Sequence, residues 1–190
     1  QSTYSARQVE AALLAVTHIG QWLTEIADYY QSDTAFKRDA KKSLSLIVNR
    51  LIDSSYRLTY WRIGEAGGLI KKYQGKPSVS RLEYHYSSMS LNAILEILKT
   101  HLRIIKNEVG NDLLTLGQQR GVGNEMRFVL QKVEQAIEMA EAMKRPFKNQ
   151  IDTDTYRLLF KQVNEIHNAY YFMLIDALGL SSQIIDADGD

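Results

Sequence analysis

The sequence lacks cysteine, and its 190 residues include only two prolines. Without thiols the chain forms no disulfide, holds no thiolate zinc or iron–sulfur site and offers no cysteine nucleophile. Its stability must come from packing, and a chain of this length can bury a hydrophobic core. Such a core needs no cofactor, and we expect none. A cysteine-free chain is compatible with both a cytoplasmic and an extracytoplasmic location.

The chain also lacks an excess of either charge, with 23 Lys and Arg against 22 Asp and Glu. This balance argues against nucleic acid and anionic membranes as partners. No apolar run approaches the roughly 18 to 20 residues that a membrane helix requires. The most apolar stretch, "AYYFMLI" at 169–175, ends at Asp176. We therefore expect no membrane span in this segment.

Apolar residues recur at three- and four-residue steps, which is the period of an amphipathic helix, and no segment alternates as a strand would. The pattern predicts an all-α fold, an elongated up-and-down bundle of about five amphipathic helices with no β-sheet. The helices are expected to end near residues 31, 66, 116, 145 and 179. The first helix carries a stripe that we predict to face the core: Val9, Leu13, Val16, Gly20, Leu23, Ala27 and Tyr30.

Glycine, proline, serine and lysine cluster in "GGLIKKYQGKPSVS", and this composition is typical of a linker. It divides the chain after the second predicted helix. The predicted organisation is a helical hairpin of two long helices at 1–66, a linker at 67–80, a three-helix portion at 81–180 packing on the hairpin as one domain, and an acidic tail at 181–190.

Metal sites find little support in the residue spacing. None of the four histidines follows a glutamate by three positions, and His-Glu-x-x-His is missing. The ending "IIDADGD" places Asp186, Asp188 and Asp190 like the first ligands of a calcium loop. A complete loop needs 12 residues and a closing glutamate. We therefore expect a solvated acidic tail and no bound metal.

Four polar residues fall on or beside apolar stripes and are candidates for ligand binding. At about 100° per residue, Arg62 and Glu65 lie on the buried side of the second helix, three positions apart and able to pair. His167 lies on the core face of the fifth helix, and His101 lies at the edge of the third. Facing one another, they would form a pH-sensitive pocket for a small anionic ligand. The alternative is a helix-end ion pair and two satisfied core histidines.

The segment "YRLTYWR" at 56–62 interleaves aromatic and basic side chains and predicts an interaction surface. Arginine beside exposed aromatic rings is typical of protein interfaces and of single-stranded nucleic-acid sites, and the balanced charge favours the first. The alternative is burial of the rings with their hydroxyls at the edge of the core. The predicted surface residues are Tyr56, Arg57, Tyr60 and Trp61.

Two short motifs are similar to known families. "RLEYH" resembles the Arg-then-His motif of the all-helical HEPN ribonucleases, although only three residues separate Arg81 from His85, fewer than in that motif. On one helix the two side chains would be i and i+4 neighbours able to share a phosphate. "LGQQRGVG" and "AYYFMLIDAL" resemble segments of the nitrate-sensing helical domain of bacterial receptors, but they lie closer together here than that fold requires.

The long helices and the lack of a convergent catalytic set favour a non-catalytic helical-bundle domain for protein–protein interaction or ligand sensing. A bacterial receptor-like sensory domain is one form of this hypothesis. The alternative is a HEPN-like helical ribonuclease or another phosphate-handling enzyme. The expected partners are a protein, or a second copy of the chain, bound through helices, and a small anionic ligand.

Overall fold

The structure, a computed structural model, describes residues 4–32, 37–107 and 112–180. Within these residues it contains helices and turns but no strand, and the predicted all-α fold is confirmed. The described part holds six main helices, one more than expected. They are α1 (Ala6–Ser32), α2 (Ala40–Arg57, Leu58–Gly64 and Glu65–Gly67 in succession), α3 (Ser90–Ile105), α4 (Leu113–Gln119), α5 (Gly123–Glu141) and α6 (Asp154–Asn168, Ala169–Leu174 and Ile175–Ala177).

The additional helix arises because the predicted third helix is not continuous. α3 ends at Ile105, and Lys106 takes an extended backbone conformation. Asp112 then begins α4, because its carboxylate accepts a hydrogen bond from the Thr115 backbone N–H at 2.7 Å. The other carboxylate oxygen accepts from the Asn107 N–H at 2.9 Å. A heptad-like spacing of leucines shows which face is apolar but does not show that the backbone stays helical.

The described chain divides into two units after Leu44. The first unit contains α1, which is 27 residues long and has no buried residue. The apolar stripe predicted to face a core is therefore exposed, and Leu23, for example, retains 61% of its accessible surface. The prediction was wrong because helical periodicity shows that one face is apolar, not what covers that face.

The second unit has a conventional helical core. α5 packs against α3, α4 and α6, while α3 and α6 also pack against the second half of α2. Each of these helices contributes its apolar stripe to one interior. Fully buried side chains of this core include Val48, Leu58, Ile63, Leu98, Val129, Val133, Leu159 and Val163.

α2 and α6 each contain a π-helical stretch, at Leu58–Gly64 and Ala169–Leu174. In such a stretch the backbone N–H binds the carbonyl five residues back, as Glu65 N–H does with Tyr60 O. Side chains that follow are therefore rotated away from the positions that a regular 3.6-residue period predicts. The stretch in α2 packs against α3 and α6.

Two glycines shape the C-terminal end of α2. A Cβ at Gly64 would lie 2.9 Å from Phe160 Cε2 of α6, so glycine permits the close approach of the two helices. Gly68 ends the helix at φ 63°, and a Cβ there would lie 2.8 Å from the backbone of Lys76 and Pro77. The prediction that the glycine pair at 67 and 68 ends this helix is confirmed.

Tyr156 joins the first turn of α6 to the π-helical stretch of α2. Its side chain is fully buried, and its hydroxyl donates to the Ile63 carbonyl at 2.9 Å. We expect Tyr156→Phe to lower the free energy of unfolding by about 1–3 kcal/mol, because the ring stays while a buried carbonyl loses its donor. Urea titration followed by circular dichroism measures this change.

Tyr86→Phe provides the matched control, since Tyr86 is 93% exposed. We expect the free energy of unfolding of this variant to stay within about 0.5 kcal/mol of the wild-type value. Equal effects of the two substitutions would show that the buried hydrogen bond contributes nothing specific.

Candidate functional site

Two histidines lie in the second unit and contact adjacent serines of α2. His101 of α3 is 2% exposed, and its Nε2 is 2.9 Å from Ser54 Oγ. Its Nδ1 is 3.2 Å from the buried Tyr170 hydroxyl. His167 of α6 is half-buried, with Nδ1 3.2 Å from Ser55 Oγ. These five residues are called the histidine–serine cluster below.

The hydroxyls of this cluster lie within hydrogen-bond distance of the imidazole nitrogens. Burial raises the pKa of the Tyr170 hydroxyl, which therefore keeps its proton, and its oxygen lies beside His101 Nδ1. Each nitrogen of His101 thus has a hydroxyl partner, Tyr170 at Nδ1 and Ser54 at Nε2. The Ser55 hydroxyl donates to the Ile52 carbonyl at 2.9 Å, so its oxygen is free to accept the Nδ1–H of His167.

Both imidazoles are held in the neutral form near pH 7. Burial lowers the pKa of His101 to about 4. Burial also lowers the pKa of His167, although a hydrogen bond to the Ile52 carbonyl acts in the opposite direction. A neutral imidazole offers an anion no ionic attraction. The cluster therefore stabilises the packing of α2, α3 and α6 without presenting a positive charge.

Arg62 and Glu65 do not form the predicted pair. Arg62 Nη2 donates to Glu83 Oε1 at 3.2 Å, and its Nε lies 2.6 Å from Glu83 Oε2 without the alignment of a hydrogen bond. The side chains of Arg62 and Glu83 are 26% and 37% exposed, so this ion pair adds little stability. The π-helical stretch explains the difference, because Arg62 lies inside it and the regular helical period does not apply there.

The four predicted ligand-binding residues thus fall into separate environments. Among the described residues, Arg62 shares no hydrogen bond or ion pair with His101 or His167. Glu65 contributes its backbone carbonyl to Arg81, with a distance of 2.8 Å from Arg81 Nε. Ligand binding by these four residues stays a prediction.

The predicted interaction surface on α2 divides into an outer and an inner pair. In the outer pair, the Arg57 guanidinium lies 4.5 Å from the centroid of the Trp61 ring, and Trp61 is exposed. Arg57 also binds Asp53 at 2.8 Å, which orients it along the helix. Arg57 and Trp61 are therefore available to solvent as the interface hypothesis requires.

The inner pair covers His167 instead. The rings of Tyr56 and Tyr60 lie 4.6 Å apart, and their centroids are 5.7 and 6.3 Å from that of His167. The Tyr60 hydroxyl donates to Asn164 Oδ1 at 3.3 Å. Both residues are partly buried, and their rings contact His167, so they are less available to a partner than Trp61 is.

Arg81 and His85 do not share a helix. Arg81 ends a short 3₁₀ turn, and His85 lies in the turn that follows. The Arg81 guanidinium donates to the carbonyls of Glu65 and Lys76 and lies 4.3 Å from the Tyr73 ring centroid. The expected i, i+4 arrangement for sharing a phosphate is therefore not formed. The guanidinium instead ties the loop after α2 to the end of that helix.

A small cavity lies beside His85, between the turn before α3 and the segment before α6. Its volume is about 10 Å³, and Leu82, Ser88 and Phe147 are among its lining residues. This space holds about one water molecule. Small-molecule sites usually enclose about 300 Å³ or more, so this cavity does not match one.

The sequence predicts neither a bound metal nor a membrane span. Within the described residues, no group of three or more His, Asp or Glu side chains is arranged to hold a metal ion. No helix in the same part of the chain is both long and apolar enough to cross a membrane. The "IIDADGD" ending lies outside the described residues.

The feature that the sequence interpretation missed is the exposure of α1. Its large apolar side chains are between 43% and 67% exposed. At about 100° per residue, all but Leu14 fall within an arc of about 200°, whereas the four charged side chains lie on the opposite side. The apolar face of α1 consists of Val9, Leu13, Val16, Ile19, Trp22, Leu23, Ile26, Tyr29 and Tyr30.

No family model, curated protein or solved structure matches this chain.

The histidine–serine cluster predicts a specific loss of stability in acid. His101 has a folded-state pKa of about 4 against an ordinary value of 6.5. The contribution of neutral His101 to the free energy of unfolding is thus fully present above about pH 6.5, and it is lost as the pH falls from there to about 4. By linkage this loss amounts to about 3 kcal/mol. Urea titrations of the wild type and of His101→Gln at several pH values measure it.

We expect His101→Gln to be less stable near neutrality and to lose less stability between these pH values. His18→Gln, on the exposed α1, removes the same residue type, and its free energy of unfolding should change with pH as that of the wild type does. If the free energy of unfolding of His101→Gln fell with pH as steeply as that of the wild type, His101 would not be the source of the acid sensitivity.

Proposed function

We propose that this chain is a non-catalytic helical domain that works by protein–protein interaction, with the apolar face of α1 as its binding surface. The observation that carries this proposal is a 27-residue helix with no buried residue and nine exposed large apolar side chains on one side. Exposed patches of this kind mark interaction sites in soluble proteins.

The size of the face supports a binding role. Its three aromatic side chains have roughly 200 Å² each, and its six aliphatic ones roughly 100 Å² each. With a little more than half of that area exposed, the face presents roughly 650 Å² of apolar surface. The largest patch on a typical monomer is about 300–600 Å². Leaving this surface in water is unfavourable, and a partner would remove the cost.

The charges of α1 favour a protein over a lipid surface. The polar side of the helix carries Glu10, Glu25 and Asp28 but only one Lys or Arg residue, Arg7. Helices that lie on membranes usually carry Lys and Arg on the polar side, and anionic lipids repel carboxylates. Trp22, Tyr29 and Tyr30 belong to the residue types that are enriched in the buried centres of protein interfaces.

The second unit supports binding over catalysis. The histidine–serine cluster is neutral and internally hydrogen-bonded. Arg81, the basic residue of the ribonuclease-like motif, already donates to two backbone carbonyls. A catalytic arginine must instead reach a phosphate. These contacts favour a scaffold role for the second unit, beside a binding role for α1.

Photo-crosslinking in cells of the source organism tests this proposal. The photoreactive p-benzoyl-phenylalanine is placed at Trp22, on the apolar face, or at Gln21, the neighbouring residue on the polar side. We expect Trp22 to form an adduct with one defined polypeptide, identified by mass spectrometry, because its side chain would contact the partner.

The control at Gln21 should give no such adduct. A further substitution, Leu23→Glu, should remove the Trp22 adduct by placing a carboxylate in the apolar face, while Gln21→Glu should not. Equal labelling at Trp22 and Gln21 would contradict a partner on the apolar face.

A further inference from the structure

We infer that the apolar face of α1 is covered by α1 of a second copy of this chain. The inference rests on the proposed function, because it names the partner of the same surface. Four properties of α1 support it: its heptad repeat, the position of its charges, its area and an exposed glycine beside the repeat.

The exposed apolar residues follow a seven-residue repeat. Taking Val9 as position a, the a positions are Val9, Val16, Leu23 and Tyr30, and the d positions are Ala12, Ile19 and Ile26. Such a repeat keeps one seam facing a second helix along the whole contact. The 27 residues of α1 span about 40 Å, long enough for three heptads. The best-matched partner is therefore another helix with the same repeat.

The charged residues of α1 avoid this seam. Arg7, Glu10, Glu25 and Asp28 occupy only b, c and f positions, which point away from a partner helix. Two identical seams can therefore meet without like-charge repulsion. Helices that select a different partner usually do so by complementary charges at e and g. Within these heptads α1 carries none there, so its sequence contains no charge pattern that would reject a copy of itself.

The area of the face is close to what a pair of copies needs. Each copy presents roughly 650 Å² of apolar surface, so two faces could bury at most roughly 1,300 Å². Stable protein–protein interfaces bury about 1,200–2,000 Å² in total. Contact between the two faces can thus supply most of the area of a small stable interface.

Gly20 adds a local argument. It lies at an e position in the middle of α1, and a Cβ at this residue would meet nothing within 4 Å. Glycine inside a helix costs about 1 kcal/mol relative to alanine, and no neighbour in the described chain requires it. The close approach of a second helix beside the seam accounts for a residue without a side chain.

Sedimentation equilibrium of the purified chain over a range of concentrations tests the inference. We expect the wild type to form a defined oligomer that dissociates on dilution. Leu23→Glu should weaken association about 100-fold, because each copy would bury a carboxylate in the seam. Gln21→Glu, which adds the same charge on the polar side, should associate like the wild type.

Gly20→Leu distinguishes a packed interface from nonspecific hydrophobic association. It adds apolar surface and raises helix propensity, so nonspecific association would become stronger. In a packed helix pair the new side chain would collide with the partner and weaken association about tenfold. Leu23→Glu and Gly20→Leu both lie on the exposed α1, and circular dichroism with urea titration checks that the second unit stays folded in each variant.

The outcomes distinguish failure of self-association from failure of the proposed function. A wild type that stays monomeric at every concentration, or a Gly20→Leu variant that associates more strongly, overturns self-association. In that case a Trp22 adduct with a different polypeptide in cells still supports the proposed function. A monomer that forms no adduct at Trp22 overturns both. An adduct between two copies of this chain, lost in Leu23→Glu, supports both.

Discussion

The need to cover apolar helix faces is the constraint on which the rest of the structure depends. In the second unit, α2, α3, α5 and α6 direct their apolar stripes into a common interior, where Val129, Val133 and Leu159 are fully buried. Burial of this kind is the main source of folding stability in a chain without disulfides. α1 carries an equally clear apolar face, but none of its residues is buried. The same physical requirement that builds the core therefore points to a partner for α1.

The two π-helical stretches decide where polar side chains lie in the second unit. Inside the stretch of α2, Arg62 turns toward Glu83 and lies partly in solvent. Just before that stretch, the Ser54 hydroxyl contacts His101 of α3, and the Ser55 hydroxyl contacts His167 of α6. Buried polar groups are stabilised when they are hydrogen-bonded, and the two histidines and the two serines each have a partner here. The histidine–serine cluster is therefore neutral and hydrogen-bonded within itself.

The two units differ in the contacts that their side chains make. The histidine–serine cluster and the Tyr156 hydroxyl stabilise a particular packing of helices, while the Arg81 guanidinium fixes the loop after α2. The face of α1 differs from these groups, because its side chains are apolar and exposed. The proposed interaction through α1 would account for this exposed apolar face.

The helical fold could be predicted from the sequence alone, because an amphipathic period is a local property that each segment carries by itself. The end of α2 at the glycine pair was equally readable, since Gly68 must adopt a positive φ. Tertiary structure was needed to place Arg62, because a π-helical stretch changes the period without an obvious signal in residue type. It was also needed to separate α3 from α4 and to show that Tyr56 and Tyr60 cover His167. Most of all, it decided that the stripe of α1 is exposed, because a repeat of apolar residues specifies that a face must be covered but not which surface covers it.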